Sequence, residues 1–216
     1  MNFLMLLFLI FFTSFSFSSL IYSINFSFAS ESSEYHLQLR WGTEGTENGE
    51  FIVPHSMAFD SEGNIYVTDT NNHRIQKFTN DGEFITKWGT EGSGDGEFSS
   101  HAHGVTKDSF DNFYITDRFN HNVQKFTSDG EFITKWGTEG TGDGQFGLPL
   151  GIGVDSKGNV FIIDQATSSI NQFSNEGQFL NKIIFNFDKL EDIEIDSNDD
   201  IYVTDRNKNE ILKFSK

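Results

Sequence analysis

The 216-residue chain contains no cysteine. That absence excludes disulfide bonds, thiolate catalysis, cysteine-ligated zinc and a lipidated N-terminal cysteine. Proline is nearly absent too, at two residues, while glycine numbers 20. Positive charge is scarce: 15 Lys and Arg stand against 32 Asp and Glu, for a net charge of −17. No charged side chain precedes Glu31, so all of that charge falls on the later residues. So acidic a chain is repelled by phosphate backbones, which argues against nucleic acid as a partner. Aromatics reach 15% and no segment after residue 30 shows a helical period, so the expected elements are short strands joined by tight turns.

Residues 1–30 read as a targeting segment. Phe3 to Phe28 is free of charge, Met1 to Phe12 is almost wholly apolar, and Ser27 and Ala29 bracket Phe28 as a cleavage site would require. No Lys or Arg follows Met1, and the run is long enough to span a bilayer, so a retained membrane anchor over residues 3–28 is the alternative to a cleaved signal peptide. Either reading places the remainder outside the cytoplasm, secreted or at the cell surface. The sole N-x-S/T match, Asn25-Phe26-Ser27, lies in this leader.

Residues 31–216 form one repeated unit. The stretch from Gln76 to Gly92 returns from Gln124 to Gly140 with a single change, Asn80 becoming Ser128. Trp-Gly-Thr-Glu-Gly begins at Trp41, Trp88 and Trp136, and an aromatic-aliphatic-x-Asp landmark ends at Asp69, Asp117, Asp164 and Asp205. A period of 40 to 50 residues signals a solenoid or propeller in which each unit needs its neighbours. Within a unit, period-2 alternation predicts four strands, placed in the first at Ser56–Asp60, Asn64–Thr68, Arg74–Phe78 and Glu83–Trp88. Asp60-Ser-Glu-Gly63 and Asp81-Gly82 supply the hairpin turns.

Four strands per unit is the blade of an all-β propeller. The blades are read at about 50–89, 97–137, 145–185 and 188–216. The fourth stops after its third strand. Residues 35–42 align, through their Trp-Gly, with the outer strand of a blade. That register predicts a four-bladed ring closed by the N-terminal strand completing the last blade. An open arc, or a ring completed by a second chain, is the alternative.

Phe51 to Ile85 resembles an NHL repeat along its length: Gly-x-Phe, a proline, a short strand ending in Asp, Gly-Asn-aliphatic-Tyr-Val-x-Asp, then Asn-x-Arg-Ile-Gln-x-Phe. The second unit fits well, the third with losses and the fourth only around Tyr202–Asp205. The resemblance implies a propeller used as a binding platform, mostly for proteins. Family members usually have six blades, and four is a departure. Two short motifs are also similar to the zinc-binding positions of peptidyl-hydroxyglycine amidating lyase: Pro54-His55-Ser56-Met57 and Ala102-His103-Gly104-Val105.

Inner strands line the channel of a propeller, so equivalent positions form a ring. Counting back five residues from Asp60, Asp108, Asp155 and Asp196 gives His55, His103, Leu150 and Glu191. Two imidazoles and a carboxylate could hold zinc or another divalent metal with water in an open position. His and Glu across a narrow channel could equally do no more than exchange hydrogen bonds. His101 would share the strand face of His103. The recurring Asp69, Asp117, Asp164 and Asp205 read as turn caps rather than general acids. Asp95 and Asp143 read as turn residues rather than calcium ligands, and Trp41, Trp88 and Trp136 as packing between blades. The function this pattern favours is an exported binding or scaffolding module, its site at one channel mouth with His55, His103 and Glu191, and Arg74 and Arg118 nearer the rim. The acidic surface favours a cationic protein or peptide partner. A metal-dependent lyase or hydrolase and a structural envelope component are the alternatives.

Overall fold

The computed structural model describes residues 36–215. The leader of residues 1–30 lies outside the described residues. The described chain is all-β apart from one 3₁₀ turn, Thr70–Asn72. Four antiparallel sheets follow one another as blades of a β-propeller. The first runs Pro54–Phe59, Ile65–Asp69, Arg74–Phe78 and Phe84–Trp88 from inside to outside. The second has Ala102–Lys107, Phe113–Asp117, Asn122–Phe126 and Phe132–Trp136, and the third Pro149–Val154, Val160–Asp164, Ser169–Phe173 and Phe179–Ile184. The fourth has three strands only, Leu190–Ile195, Ile201–Asp205 and Glu210–Phe214.

The hairpins form where sequence chemistry demands. Asp60 Oδ1 accepts from the backbone N–H of Glu62 at 3.0 Å and of Asn64 at 2.8 Å, closing the first turn. Asp108, Asp155 and Asp196 repeat that geometry in the later blades. The Asp at the end of each second strand is buried and works as predicted, as a cap. It also fixes the loop entering the inner strand: Ile52 donates to Asp69 at 2.8 Å, Ser99 to Asp117 at 2.8 Å, Leu148 to Asp164 at 2.8 Å and Asp188 to Asp205 at 2.7 Å. Each inner strand therefore starts at a fixed height.

Blades stack through aromatics. Tyr66 lies on Phe113 with ring centroids 3.7 Å apart, and its hydroxyl donates towards Asp60 and the Ser128 carbonyl. Trp88 wedges between Tyr66 of its own blade and Phe126 of the next, at 6.0 and 5.9 Å. Trp136 does the same with Tyr114 and Phe173. The Trp88 indole presses on Gly130, where φ is +84° and an added Cβ would come within 2.6 Å of the ring. Only glycine meets both demands there.

The predicted closure does not occur. The inner strands pack in series, Pro54–Phe59 on Ala102–Lys107 on Pro149–Val154 on Leu190–Ile195, and the last does not pack on the first in the same way. No strand flanks Glu210–Phe214 on its outer side among the described residues, and residues 36–42 are not in a sheet. The physical reason is step size. Bulky Tyr, Phe and Trp side chains between blades set the turn from one blade to the next, and three such steps do not bring the fourth inner strand back onto the first. Trp41 meanwhile rests on the first blade, 6.2 Å from Phe78.

Candidate functional site

The inner strands of the four blades converge on a small cavity of about 190 Å³ bordered by His55, Ser56, His103, Gly104, Glu191 and Asp192, with Gly151 backbone between. His55 and His103 face each other, their ring centroids 3.7 Å apart and tilted by 42°. The bulge between Pro54 and Met57 in the ladder places His55 at the mouth, where it is exposed. His103 is half-buried. Burial first, then the charges of His55, Arg118 and His101, hold its imidazole well below the usual range, at about 3. At neutral pH it is an uncharged ring. Among the described residues, neither ring nitrogen of His55 or His103 has a hydrogen-bond partner, whereas His73 and His121 each reach a backbone carbonyl.

His101 and Arg118 extend this cluster. The His101 ring lies against Phe119 at 4.6 Å, and the Arg118 guanidinium sits 5.7 Å from the same phenyl ring. Two of their atoms, Nδ1 of His101 and Nε of Arg118, are buried without partners among the described residues.

The structure redistributes the other predicted site residues. Arg74 is no rim residue. It is buried, pairs with Asp69 at 2.7 Å and donates to the Thr46, Glu47 and Glu50 carbonyls, which clamps the loop ahead of the first blade. A buried guanidinium needs that many acceptors, and the sequence signal shared by Asn-x-Arg did not reveal them. Leu150 leaves the predicted ring and enters the core beside Ile163, Phe187 and Leu190, because Gly151 lets the backbone itself line the channel. Glu191 borders the cavity but is drawn to Arg206 at 3.4 Å and Lys189 at 3.8 Å. Asp192, which sequence reasoning missed, borders it too. Its signal was one residue away, at the position of Ser56, Gly104 and Gly151. Among the described residues, no three His, Asp or Glu side chains converge as a metal requires. The two imidazoles alone are an incomplete donor set for the zinc-type site.

The Gly-Asp-Gly loops are accounted for by the fold. The Glu97 carboxylate accepts from the Gly94 N–H at 2.8 Å, Gly96 donates to Gln124 at 2.9 Å, and Asp95 pairs with Lys135 at 2.9 Å.

Residues 51–78 match the NHL repeat, and residues 103–189 match a family model described as a 6-bladed beta-propeller. Curated relatives include the B-box type zinc finger protein ncl-1 of Caenorhabditis elegans, 44% identical over 50 residues, and Tripartite motif-containing protein 3 of Rattus norvegicus, 46% identical over 48 residues. Those matches cover 23% and 22% of this chain and 6% of each relative. Solved structures of similar shape include a protein of unknown function from Bacteroides caccae, at a TM-score of 0.57 and 17% identity, covering 75% of this chain and 56% of that one. Virginiamycin B lyase from Staphylococcus aureus is similar at a TM-score of 0.57 and 15% identity, covering 76% and 55%. At such identity the likeness is one of fold. The chain is a β-propeller that carries an NHL repeat at residues 51–78.

Proposed function

We propose that this propeller is a recognition module whose ligand, an exposed peptide segment or a small molecule, seats on His55 and His103 at the channel mouth. One observation carries the reading: the rings of His55 and His103 face each other on the cavity, and neither has a hydrogen-bond partner among the described residues, with the Arg118 charge nearby. A ligand group rich in oxygen, such as a carboxylate or a peptide carbonyl, supplies what they lack. Glu191 and Asp192 border the other side of the cavity and suit an ammonium or amide N–H. A cavity of about 190 Å³ takes one side chain or a chain terminus, not a large cofactor. The net charge of −17 then acts at longer range, drawing partners with basic surfaces.

The test is a peptide array with free and amidated C-termini, probed with wild type and with the His55→Ala/His103→Ala and Arg118→Gln variants. Binding lost in both variants with the fold intact supports the site. Equal binding by all three proteins refutes it.

A lyase reading has one observation in its favour, the pairing of two inner-strand histidines on a fold shared with virginiamycin B lyase. The donor set does not complete a metal centre, so no catalytic step is assigned. Location outside the cytoplasm rests on the leader sequence, and protease accessibility on intact cells tests it.

A further inference from the structure

The first two blades each meet the next through the same few groups, which the third blade replaces with Phe161, Ile163 and Gln172. In the first blade the Thr68 hydroxyl donates to the His103 carbonyl at 3.3 Å, Tyr66 to the Ser128 carbonyl at 3.0 Å, and the Lys77 ammonium to that same carbonyl at 3.3 Å. In the second, Thr116 donates to Leu150 O at 2.6 Å and Lys125 to Asn175 O at 3.1 Å. The fourth blade keeps this set on its far side as Thr204, Tyr202 and Lys213, although no blade follows it among the described residues. Lys213 turns back to Asp200 at 2.6 Å and Tyr202 to Asp196 at 3.2 Å. Ile211 is 73% exposed there, whereas its counterpart Ile75 is 0% exposed under the second blade. A concavity of about 230 Å³ bordered by Tyr202, Thr204 and Ile211 marks the empty seat.

The first blade shows the complementary face. Met57 is 63% exposed and Phe59 53%, while Val105, the counterpart of Met57 in the second blade, is buried. Beside them lies a concavity of about 510 Å³, bordered by Trp41, Phe51 and Val53. Trp41 sits over Gly82 and Phe78 as Trp88 sits over Gly130 and Phe126. Residues 38–41 thus lie at an outer-strand position without being in a sheet. The Glu210–Phe214 strand has no outer neighbour among the described residues.

We propose that the open face of the fourth blade docks on the first blade of a second copy of this chain, head to tail. Residues 38–41 of that copy then pair with Glu210–Phe214. The register follows the first blade, where Ile75 faces Trp88, Gln76 faces Lys87 and Lys77 faces Thr86. The trans ladder becomes Ile211 with Trp41, Leu212 with Arg40 and Lys213 with Leu39. Two identical contacts of this kind close a two-copy ring of eight blades, with no sheet edge left bare. One feature opposes the docking: Asp192 and Glu194 stand on this face where the first blade has Ser56 and Ala58. Removal of Glu194 therefore tightens the contact.

The absence of native cysteine makes the test direct. Full-length chains carrying Leu39→Cys or Lys213→Cys are purified in mild detergent, mixed and treated with a short bismaleimide. Residues directly opposite in a strand pair have Cβ atoms about 5 Å apart, well within its reach. The mixture is expected to yield a cross-linked dimer that neither single variant forms alone. Sedimentation velocity is expected to give a dimer for wild type, a monomer for Ile211→Arg, and a dimer stable to at least threefold greater dilution for Glu194→Ala. Three results overturn the proposal: a cross-link within one chain of the Leu39→Cys/Lys213→Cys double variant, which would place the strand in cis; a monomeric wild type with no cross-link in the mixture; and an open ladder of oligomers, which would show that the ring does not close.

Discussion

Acid should weaken this protein through His103 in a measurable and separable way. In the unfolded chain an imidazole titrates near its ordinary value of about 6.5. In the folded protein burial, then His55, Arg118 and His101, hold His103 down at about 3. The folded state therefore binds its proton more weakly than the unfolded state. That contribution to stability is fully present above the unfolded value and is lost progressively as pH falls from about 6.5 towards 3. Between pH 7 and pH 5 the linkage relation gives a loss of about 2 kcal/mol from this one group. The measurement is equilibrium urea unfolding at the two pH values for wild type and His103→Gln. Carboxylates and the remaining histidines contribute to both proteins, so the informative quantity is the difference between their pH dependences. Wild type is expected to lose about 2 kcal/mol more than the variant over this range. Identical losses in the two proteins would show that the imidazole is not held neutral by its surroundings, and the account of the site would fall with it.

Three other perturbations probe the frame around the site. Asp69→Ala leaves the Arg74 guanidinium buried without its carboxylate and frees the Ile52 N–H, so thermal unfolding should show a loss of about 3–5 kcal/mol. Retention of wild-type stability would mean that the clamp does not matter. Tyr66→Phe removes the hydroxyl shared by Asp60 and the Ser128 carbonyl while keeping the ring on Phe113, and calorimetry should record a loss of about 1 kcal/mol. Gly130→Ala meets the Trp88 indole and an unfavourable φ together, so the fluorescence of that tryptophan should shift and stability should fall by about 1–3 kcal/mol.

Much of the fold was legible in the sequence, because a propeller writes its unit out several times. Tyr66, Tyr114 and Tyr202 recur at one position, and so do the aspartates from Asp69 to Asp205, so a strand or cap read once could be checked against its copies. Trp88 and Trp136 took the inter-blade place predicted for them, while Trp41 rests on the first blade alone. Closure was not legible. The angle between blades depends on how Tyr66 seats on Phe113 and Trp88 on Phe126, and residue spacing carries no angle. The site was half legible. His55 and His103 met as the register required, since both belong to blades that follow the repeat closely. Leu150 and Glu191 lie in the diverged blades. There Gly151 turns backbone to the channel, and Arg206 and Lys189 draw the carboxylate aside. Arg74 was misplaced for another reason: strand pattern shows that a residue is buried, but not which carbonyls wait for it.

The groups that join one blade to the next mostly grip main-chain carbonyls, those of His103, Leu150, Ser128 and Asn175. A carbonyl is present whatever side chain its residue bears. These bonds therefore tolerate a change of side chain at the acceptor residue, which the aromatic packing between the same blades does not. The conserved part of each of these joints is thus carried by main chain on one side and by a Thr, Tyr or Lys on the other. The near-identity of Gln76–Gly92 and Gln124–Gly140 fits a duplication of one unit.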